Sequence, residues 1–511
     1  MAFGHKSSSS TFVLSRRILP SPDQIIMLEK KFVIKWKLYN FGVSDCLPRI
    51  QAMRNDPAWM GLLDKWKEYK KLYPDSKKTP YDKALDNEIK RAGLAENQIS
   101  SRMTVEKNRS FQKGLHADIV QMIARELHKG IKSVLFATDD KELHYRRLED
   151  VTSLSGKTNK TGIIYYEESD SFKFNGIKMR LKAVRKSDKY LQEGMLHEVK
   201  YCRIVREPFN NGYHYFLQLV MKGAAPKKFT VTEGATGQDP GVSNSAFYGD
   251  NVTDFVTLGE GVEKYDKAIA DANVVFERRN RMANPQNYNK DGSIKKGKKH
   301  WKKTGGIRKA KFRLKAAYRK RSVHVKNVNG HISNMIVRGT SVLKQEKMDY
   351  RALARKVKKT EKSDKTKTIK NKDGTTKVIR KFKRKKRFGK SILRRCPSAF
   401  NKMMRDKVKR YGGKVIEIDP KKTRSSQLDH STGEYKKMPL SQRSKIIDGH
   451  IVQRDLYSGF LDYHTDDDNV VDTDSCKDHF GDFLDKQQKV IETVKEHGDS
   501  TGNFGIKDFS A

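Results

Sequence analysis

Three acidic residues in the second half of the chain sit where they could work together. Asp239 lies in Gly237-Gln-Asp-Pro-Gly-Val242, Glu346 ends Ser341-Val-Leu-Lys-Gln-Glu346, and Asp455 opens Asp455-Leu-Tyr-Ser-Gly-Phe-Leu461. Carboxylates gathered around a phosphodiester can hold two Mg²⁺ ions roughly 4 Å apart, one activating a water and the other stabilising the leaving oxygen. Each acid also has an ordinary reading. Asp239, beside Pro240 and Gly241, can cap a turn; Glu346, beside Lys347, can be one more surface acid; Asp455 can be the N-cap of a helix. Spacing alone leaves these readings open.

The elements that would have to position the acids alternate between strand and helix. Residues 237–257 read as strand, turn, strand, and a mostly helical stretch follows to about 338, broken by a Gly/Asn/Lys-rich loop near 283–306. Ser341–Glu346 reads as a strand, 397–409 as a helix, 414–418 as a strand and 455–461 as a helix. This alternation suggests an α/β nuclease core. In the first half, Thr11–Leu14 and Lys31–Leu38 read as β-type runs, 46–140 as helical, and 162–222 as strands with a tight turn at Asn210-Asn-Gly212. The strand after that turn alternates Tyr213 and Tyr215 with His214 and Phe216; either face could stack on bases or serve as sheet core. Trp59 and Trp66 read as core or helix-interface residues.

The bulk composition narrows the partners. The chain has 511 residues, 107 Lys and Arg against 61 Asp and Glu, and a formal net charge of +46. Such a chain attracts polyanions, nucleic acid first, because neutralising phosphates releases counterions. A membrane is not expected as a partner, since the sequence offers neither a long apolar span nor an N-terminal apolar leader. Cys46, Cys202, Cys396 and Cys476 form no CxxC pair, so neither a disulfide scaffold nor a four-cysteine zinc site is expected.

The C-terminal half resembles the TnpB proteins of bacterial insertion sequences and their relatives, the miniature type V CRISPR effectors. The strings that carry the resemblance occur in family order. Gly237–Val242 resembles the first RuvC motif, and Glu346-Lys-Met-Asp-Tyr-Arg-Ala-Leu353 the second. Arg387–Ile392, Pro397–Phe400 and Tyr411–Asp419 resemble the region before the third, which Gln453-Arg-Asp-Leu-Tyr-Ser-Gly-Phe460 resembles in turn. The resemblance covers about 230–462. It implies an α/β fold: an RNase H-like (RuvC) nuclease domain plus an N-terminal β-wedge with a helical recognition insertion. The expected domains are a wedge over 1–45 and 145–229, a helical insertion over 46–144, the nuclease domain over 230–462 and an acidic C-terminal tail over 463–511. Asp239, Glu346 and Asp455 become the expected metal-binding triad, with two Mg²⁺ ions as cofactors and Mn²⁺ as a substitute. The family cuts DNA under the direction of a structured guide RNA. Expected partners are therefore guide RNA and double- and single-stranded target DNA, with a homodimer left open, in the cytoplasm of a prokaryote.

Two departures matter. Many relatives carry a four-cysteine zinc knuckle between the second and third motifs, whereas 425–437 and 441–450 contain no cysteine, so no zinc is expected there. The third motif often continues Asn–Ala–Ala, where this chain has Leu456, Tyr457, Ser458 and Gly459; the small pair still permits close helix packing. The expected nucleic-acid contacts are Arg308, Lys311, Lys315 and Arg319 on one helix face, and the basic run Lys383, Arg384, Lys385, Lys386 and Arg387. The acids at Asp466, Asp467, Asp468, Asp472 and Asp474 are read as a solubilising cluster rather than a metal site.

Overall fold

The computed structural model describes residues 10–74, 76–111, 114–137, 141–297, 299–354, 362–370, 374–382, 388–439, 441–497 and 501–509. The chain divides into two compact units, the first ending at Lys228 and the second beginning at Phe229. Among the described residues, no helix is long and apolar enough to cross a membrane.

The first unit opens with β1 (Thr11–Leu19), continues through helices α1 (Pro22–Arg54), α2 (Pro57–Leu72), α3 (Asp82–Arg91), α4 (Glu96–Phe111) and α5 (Ala117–Leu135), and returns to strands. These are β2 (Ser153–Ser155), β3 (Ile163–Tyr166), β4 (Ser171–Phe174) and β5 (Ile177–Leu181), then, after the short α6 (Lys189–Met195), the long hairpin β6 (Val199–Phe209) and β7 (Gly212–Lys222). They form an antiparallel sheet of order β2-β6-β7-β1-β5-β4-β3. β1 alternates strictly, burying Phe12, Leu14, Arg16 and Ile18, the pattern of a strand with one covered face.

The run Lys31–Leu38, expected as β, is helical. A short window looks extended, but the apolar period continues through Leu28, Phe32, Leu38, Val43, Cys46 and Ile50, and all of these are buried along one helix. Ser21 and Gln24 close a reciprocal capping box at its start, with Pro22 in the first turn. The helical insertion therefore starts at Pro22, not at residue 46, and among the described residues the expected β stretch over 1–45 shrinks to β1. Tyr215 is sheet core, 2% exposed, with its hydroxyl on Glu29, and Tyr213 lies under the Arg206 guanidinium. Trp59 is buried, and Trp66 packs edge-on against Phe136.

The second unit is built on β8 (Ala235–Pro240), β9 (Asn244–Gly249), β10 (Asp254–Thr257), β11 (Val342–Glu346) and β14 (Lys414–Ile418), in spatial order β10-β9-β8-β11-β14. β8, β9 and β10 pair antiparallel, while β11 runs parallel to both β8 and β14. Between β10 and β11 lie α7 (Asp266–Ala283) and α8 (Gly305–Arg338). Between β11 and β14 lie α9 (Tyr350–Ala354), the hairpin β12 (Lys362–Lys370) and β13 (Thr376–Phe382), α10 (Gly389–Arg395) and α11 (Pro397–Arg410). After β14 come the hairpin β15 (Ser444–Ile447) and β16 (His450–Gln453), then α12 (Arg454–Tyr463), α13 (Thr473–Asp478), α14 (Phe480–His497) and α15 (Thr501–Phe504).

The sheet is covered on both faces, and strand alternation sorts the residues between them. Phe247 joins Ile336, Val337, Leu343, Phe400 and Met404 in a core with α8 and α11. Its neighbours Ala246 and Tyr248 join Leu456, Phe460, Phe483 and Ile491 in a core with α12 and α14. The segment expected as an acidic tail over 463–511 is thus largely folded. Phe480, Phe483, Val490, Ile491 and Val494 recur at helical spacing and bury against α12, while the Asp466–Asp468 cluster stays exposed.

Candidate active site

Register brings the first two acids together. β8 and β11 run parallel with Gln238 opposite Gln345, so the next residues, Asp239 and Glu346, fall side by side near the carboxyl ends of their strands. Strand alternation turns both acids towards α12, since Asp239 pairs across the sheet with Ala246 of that core. The two glutamines point the other way and lock the register. Gln345 Nε2 donates to Gln238 Oε1 at 2.6 Å, Arg405 Nη1 donates to Gln345 Oε1 at 2.7 Å, and Gln238 Nε2 reaches Ser245 Oγ at 2.9 Å and Asn401 Oδ1 at 3.2 Å. The Tyr350 hydroxyl receives Asn401 Nδ2 and donates to the Gly241 carbonyl, fixing the turn just after Asp239.

The third acid arrives on α12. The N-cap of that helix is Gln453, whose side chain accepts from Leu456 N at 2.7 Å. Asp455 therefore sits inside the first turn rather than at the cap, where its charge opposes the positive end of the helix dipole. Helix and sheet approach closely because Gly237 presents no side chain to α12. A Cβ on Gly237 would collide with the Gly459 carbonyl oxygen and the Tyr463 amide nitrogen. Lys344, on the same face of β11 as Glu346, donates to the Tyr463 and Thr465 carbonyls at 2.6 and 2.7 Å and so ties the far end of α12 to the same strand.

All three acids line one cleft of about 570 Å³, together with Ser426, Gln427, Lys437, Arg443 and Arg454. Withdrawal from water, then the charges of Asp455 and Glu346, hold the Asp239 carboxyl well above the ordinary carboxylate range, while Arg454 pulls the other way. Burial pushes Glu346 up to about 7, with the Ser425 side chain acting the other way. Asp455 is held by cations: Arg454 Nη2 and Nε reach Oδ1 at 2.6 and 2.9 Å, and Arg443 Nη1 lies 3.8 Å from Oδ2. Among the described residues, no group of three or more His, Cys, Asp or Glu side chains is already arranged to hold a metal ion. The triad shares a cleft without forming a closed cage, and Asp455 is turned towards arginine. The donor set itself, three carboxylates open to one cleft, suits a hard divalent cation.

A fourth acid escaped sequence reasoning. Asp462 is fully buried on α12, its Oδ1 accepts from Ser425 Oγ at 2.7 Å, and its Oδ2 has no hydrogen-bond partner. Burial, then the charges of Glu346 and Asp239, hold its carboxyl well above the ordinary range. The available signal was helical period: Asp462 follows Asp455 by two turns on the same face.

The cysteine-free segment closes on itself without thiols. Lys445 Nζ donates to the Leu428 carbonyl at 2.9 Å and lies 4.1 Å from the Tyr457 ring centroid. The Tyr457 hydroxyl receives the His430 amide and meets its ring Nδ1 at 2.6 Å. On α8, Arg308 is exposed, whereas Lys311, Lys315 and Arg319 are half-buried; Lys309, Arg313 and Lys320 face solvent on another side of the helix. Lys383, Arg384, Lys385, Lys386 and Arg387 lie outside the described residues.

No family model matches the chain, and no curated protein matches its sequence. Solved structures with a similar outline include a cryo-EM structure of a Cas12f1–sgRNA–target DNA complex, at 11% identity and TM-score 0.42, covering 89% of this chain and 98% of that one. A CRISPR–Cas12f ternary complex matches at 11% identity and TM-score 0.27 over 88% of this chain and 98% of that one. A Cas12i–crRNA–dsDNA complex in its I1 state matches at 11% identity and TM-score 0.23 over 80% and 62%. Likeness at this level fixes no activity, and the functional reading rests on the chain's own residues.

Proposed function

We propose that this protein is an RNA-guided DNA endonuclease that hydrolyses phosphodiester bonds at the cleft between β8, β11 and α12. The observation that carries the hydrolytic half is the meeting of Asp239, Glu346 and Asp455 from three elements remote in sequence. A mixed five-stranded sheet covered by helices on both faces supports the RNase H-like reading. The guided half rests on the motif resemblance and on a net charge of +46, which suits a chain that delegates sequence reading to RNA and itself grips nucleic-acid backbones.

Asp239, Glu346 and Asp455 would hold Mg²⁺, which when bound supplies Lewis-acid activation of water and stabilisation of the leaving oxygen. Lys437 and Arg443 stand at the cleft to receive phosphate oxygens, and Arg454 keeps Asp455 oriented. The test begins with the RNA that copurifies with the protein. A single structured species with a variable end, programmed against a matching DNA, should direct Mg²⁺-dependent cutting that Asp239→Ala and Glu346→Ala abolish while guided DNA binding persists. Cleavage untouched by either substitution refutes the site. Repeat-derived RNA would mark a CRISPR effector; RNA from the end of a mobile element would mark the insertion-sequence class. A second reading, guided DNA binding with feeble cleavage, is favoured by the arginine hold on Asp455, and efficient guided cutting by the unmodified protein rejects it.

A further inference from the structure

Strand pairing leaves an opening in the sheet of the first unit. β1 pairs with β7 from Thr11↔Lys222 to Arg17↔Phe216, then with β5 at Ile18↔Leu181 and Leu19↔Arg180. β7 keeps its ladder with β6 as far as Phe209↔Gly212, so residues 212–215 run on without a β1 partner. Pro20 lacks the N–H to extend the β1 ladder, and Ser21 caps α1 immediately after it. Ile18, Leu19 and Pro20 on one strand, and Tyr213, His214 and Tyr215 on the other, line a cavity of about 730 Å³. That volume falls within the roughly 300–1,000 Å³ usual for small-molecule sites.

The charge of this cavity is one-sided. Arg17 of β1 and Lys178 and Arg180 of β5 line it, and no Asp or Glu does. All three cations are exposed, and none forms an ion pair among the described residues. The neighbouring cations that serve the fold are paired: Arg16 holds Asp170 through two bonds at 2.7 and 2.8 Å, and Arg206 holds Glu29 at 2.5 Å. The walls are fixed by the same frame, since Gln24 Nε2 donates to the Lys178 carbonyl at 3.2 Å and the Tyr215 hydroxyl donates to Glu29 at 2.7 Å. An internal phosphodiester carries one charge, whereas a phosphomonoester carries about −1.5 to −2 near pH 7 and three strong acceptor oxygens. Three cations without carboxylate partners at one opening match the second. Tyr213 and His214, the latter stacked on Phe209 at 3.8 Å, give a base a surface to lie on, and Asn211 in the turn offers an amide to its edge.

We propose that this cavity binds the phosphomonoester of a nucleotide, with the phosphate on Arg17, Lys178 and Arg180 and the base against Tyr213 and His214. Two sources carry that chemistry: the phosphorylated end of a nucleic-acid strand, and a free mononucleotide. The site lies wholly within the first unit and uses none of the acids of the nuclease reading.

The test uses full-length protein stripped of copurifying nucleic acid and reads the binding of RNA hexamers by fluorescence anisotropy at one salt concentration. A hexamer ending in a phosphate should bind about tenfold or more tightly than the same hexamer with hydroxyl ends, the scale of a charged hydrogen bond. The hydroxyl-ended control cancels the general attraction of a chain of net charge +46 for phosphates. Arg17→Gln and Arg180→Gln should each remove most of the preference, while Lys65→Gln, an exposed cation of α2, should leave it intact. Adenosine 5′-monophosphate titrated alone separates the sources: binding that Arg180→Gln abolishes assigns the cavity to free nucleotides, and an end preference without it assigns strand ends. Equal affinity for both hexamers together with no mononucleotide binding, or a preference unchanged in both arginine variants, overturns the proposal. Thermal unfolding checks each variant, and Lys178→Gln takes the place of an arginine variant that does not fold. Guided cutting by a protein that fails both binding measurements overturns the cavity assignment and leaves the nuclease reading standing; an arginine-dependent preference without cutting does the reverse.

Discussion

Gln345→Leu tests whether the glutamine pair holds the acids in register. Gln345 and Gln238 are 1% and 0% exposed, and the 2.6 Å bond between their amides crosses from β11 to β8 one residue before each acid. Leucine fills similar volume but leaves Gln238 Oε1 without its donor in a dry position, which costs about 1–3 kcal/mol. Arg405 also loses its 2.7 Å contact, but its side chain is 32% exposed and can turn to water or Glu417, so this adds only about 0.5–1 kcal/mol. The total is about 1.5–4 kcal/mol. Replacing both glutamines with leucine removes the stranded acceptor, so the double variant should be less destabilised than the sum of its singles by about 1–2 kcal/mol. Hydrogen exchange of peptides spanning 235–249 and 342–346 reports on the second unit alone. A loss of about 1.5–4 kcal/mol appears there as exchange roughly 10- to 700-fold faster, at a factor of ten per 1.4 kcal/mol. A change below about 0.5 kcal/mol in the single variant, or strict additivity in the double, refutes the register lock.

Two further outcomes follow from the same site. Burial raises Glu346 from 4.5 to about 7, so between those pH values the folded chain keeps a proton that the unfolded chain has released, and metal-free stability falls as pH rises through that window. Metal needs the ionised form, so Mn²⁺ affinity should rise about tenfold from pH 6 to pH 8; an affinity flat across that range contradicts the assignment. Gly237→Ala should push α12 off the sheet, abolishing guided cleavage and destabilising the second unit by about 1–3 kcal/mol, while exchange in peptides of the first unit stays unchanged.

The sequence carried the acids and most of the elements that hold them because those signals are local. The strands at Asp239 and Glu346 and the helix after Asp455 can each be read within a dozen residues. What failed was the short window set against a longer period. Lys31–Leu38 alternates enough to look extended, and only the run from Leu28 to Ile50 shows a helix face. The dense aspartates after residue 465 likewise drew attention from Phe480, Phe483, Val490, Ile491 and Val494, whose spacing marks a buried helix. Asp462 and Ser425 could not be paired from sequence at all, since their contact spans 37 residues and exists only once α12 lies on the sheet.

The division of charge in the cleft explains why the triad is not a closed cage. Asp455 has its counter-charge from the protein: Arg454 directly, from the first residue of α12, and Arg443 at longer range, from just before β15. Asp239 and Glu346 have no comparable partner. They stand together at the carboxyl ends of two parallel strands, where Arg454 acts on Asp239 only through space. Two carboxyls in low dielectric with no protein cation must either keep a proton or take up a cation from outside. The protein thus neutralises the acid on the helix itself and leaves the pair on the strands to external charge. Mutual repulsion within that pair, and the pull of arginine on the third acid, both relax once external charge is present.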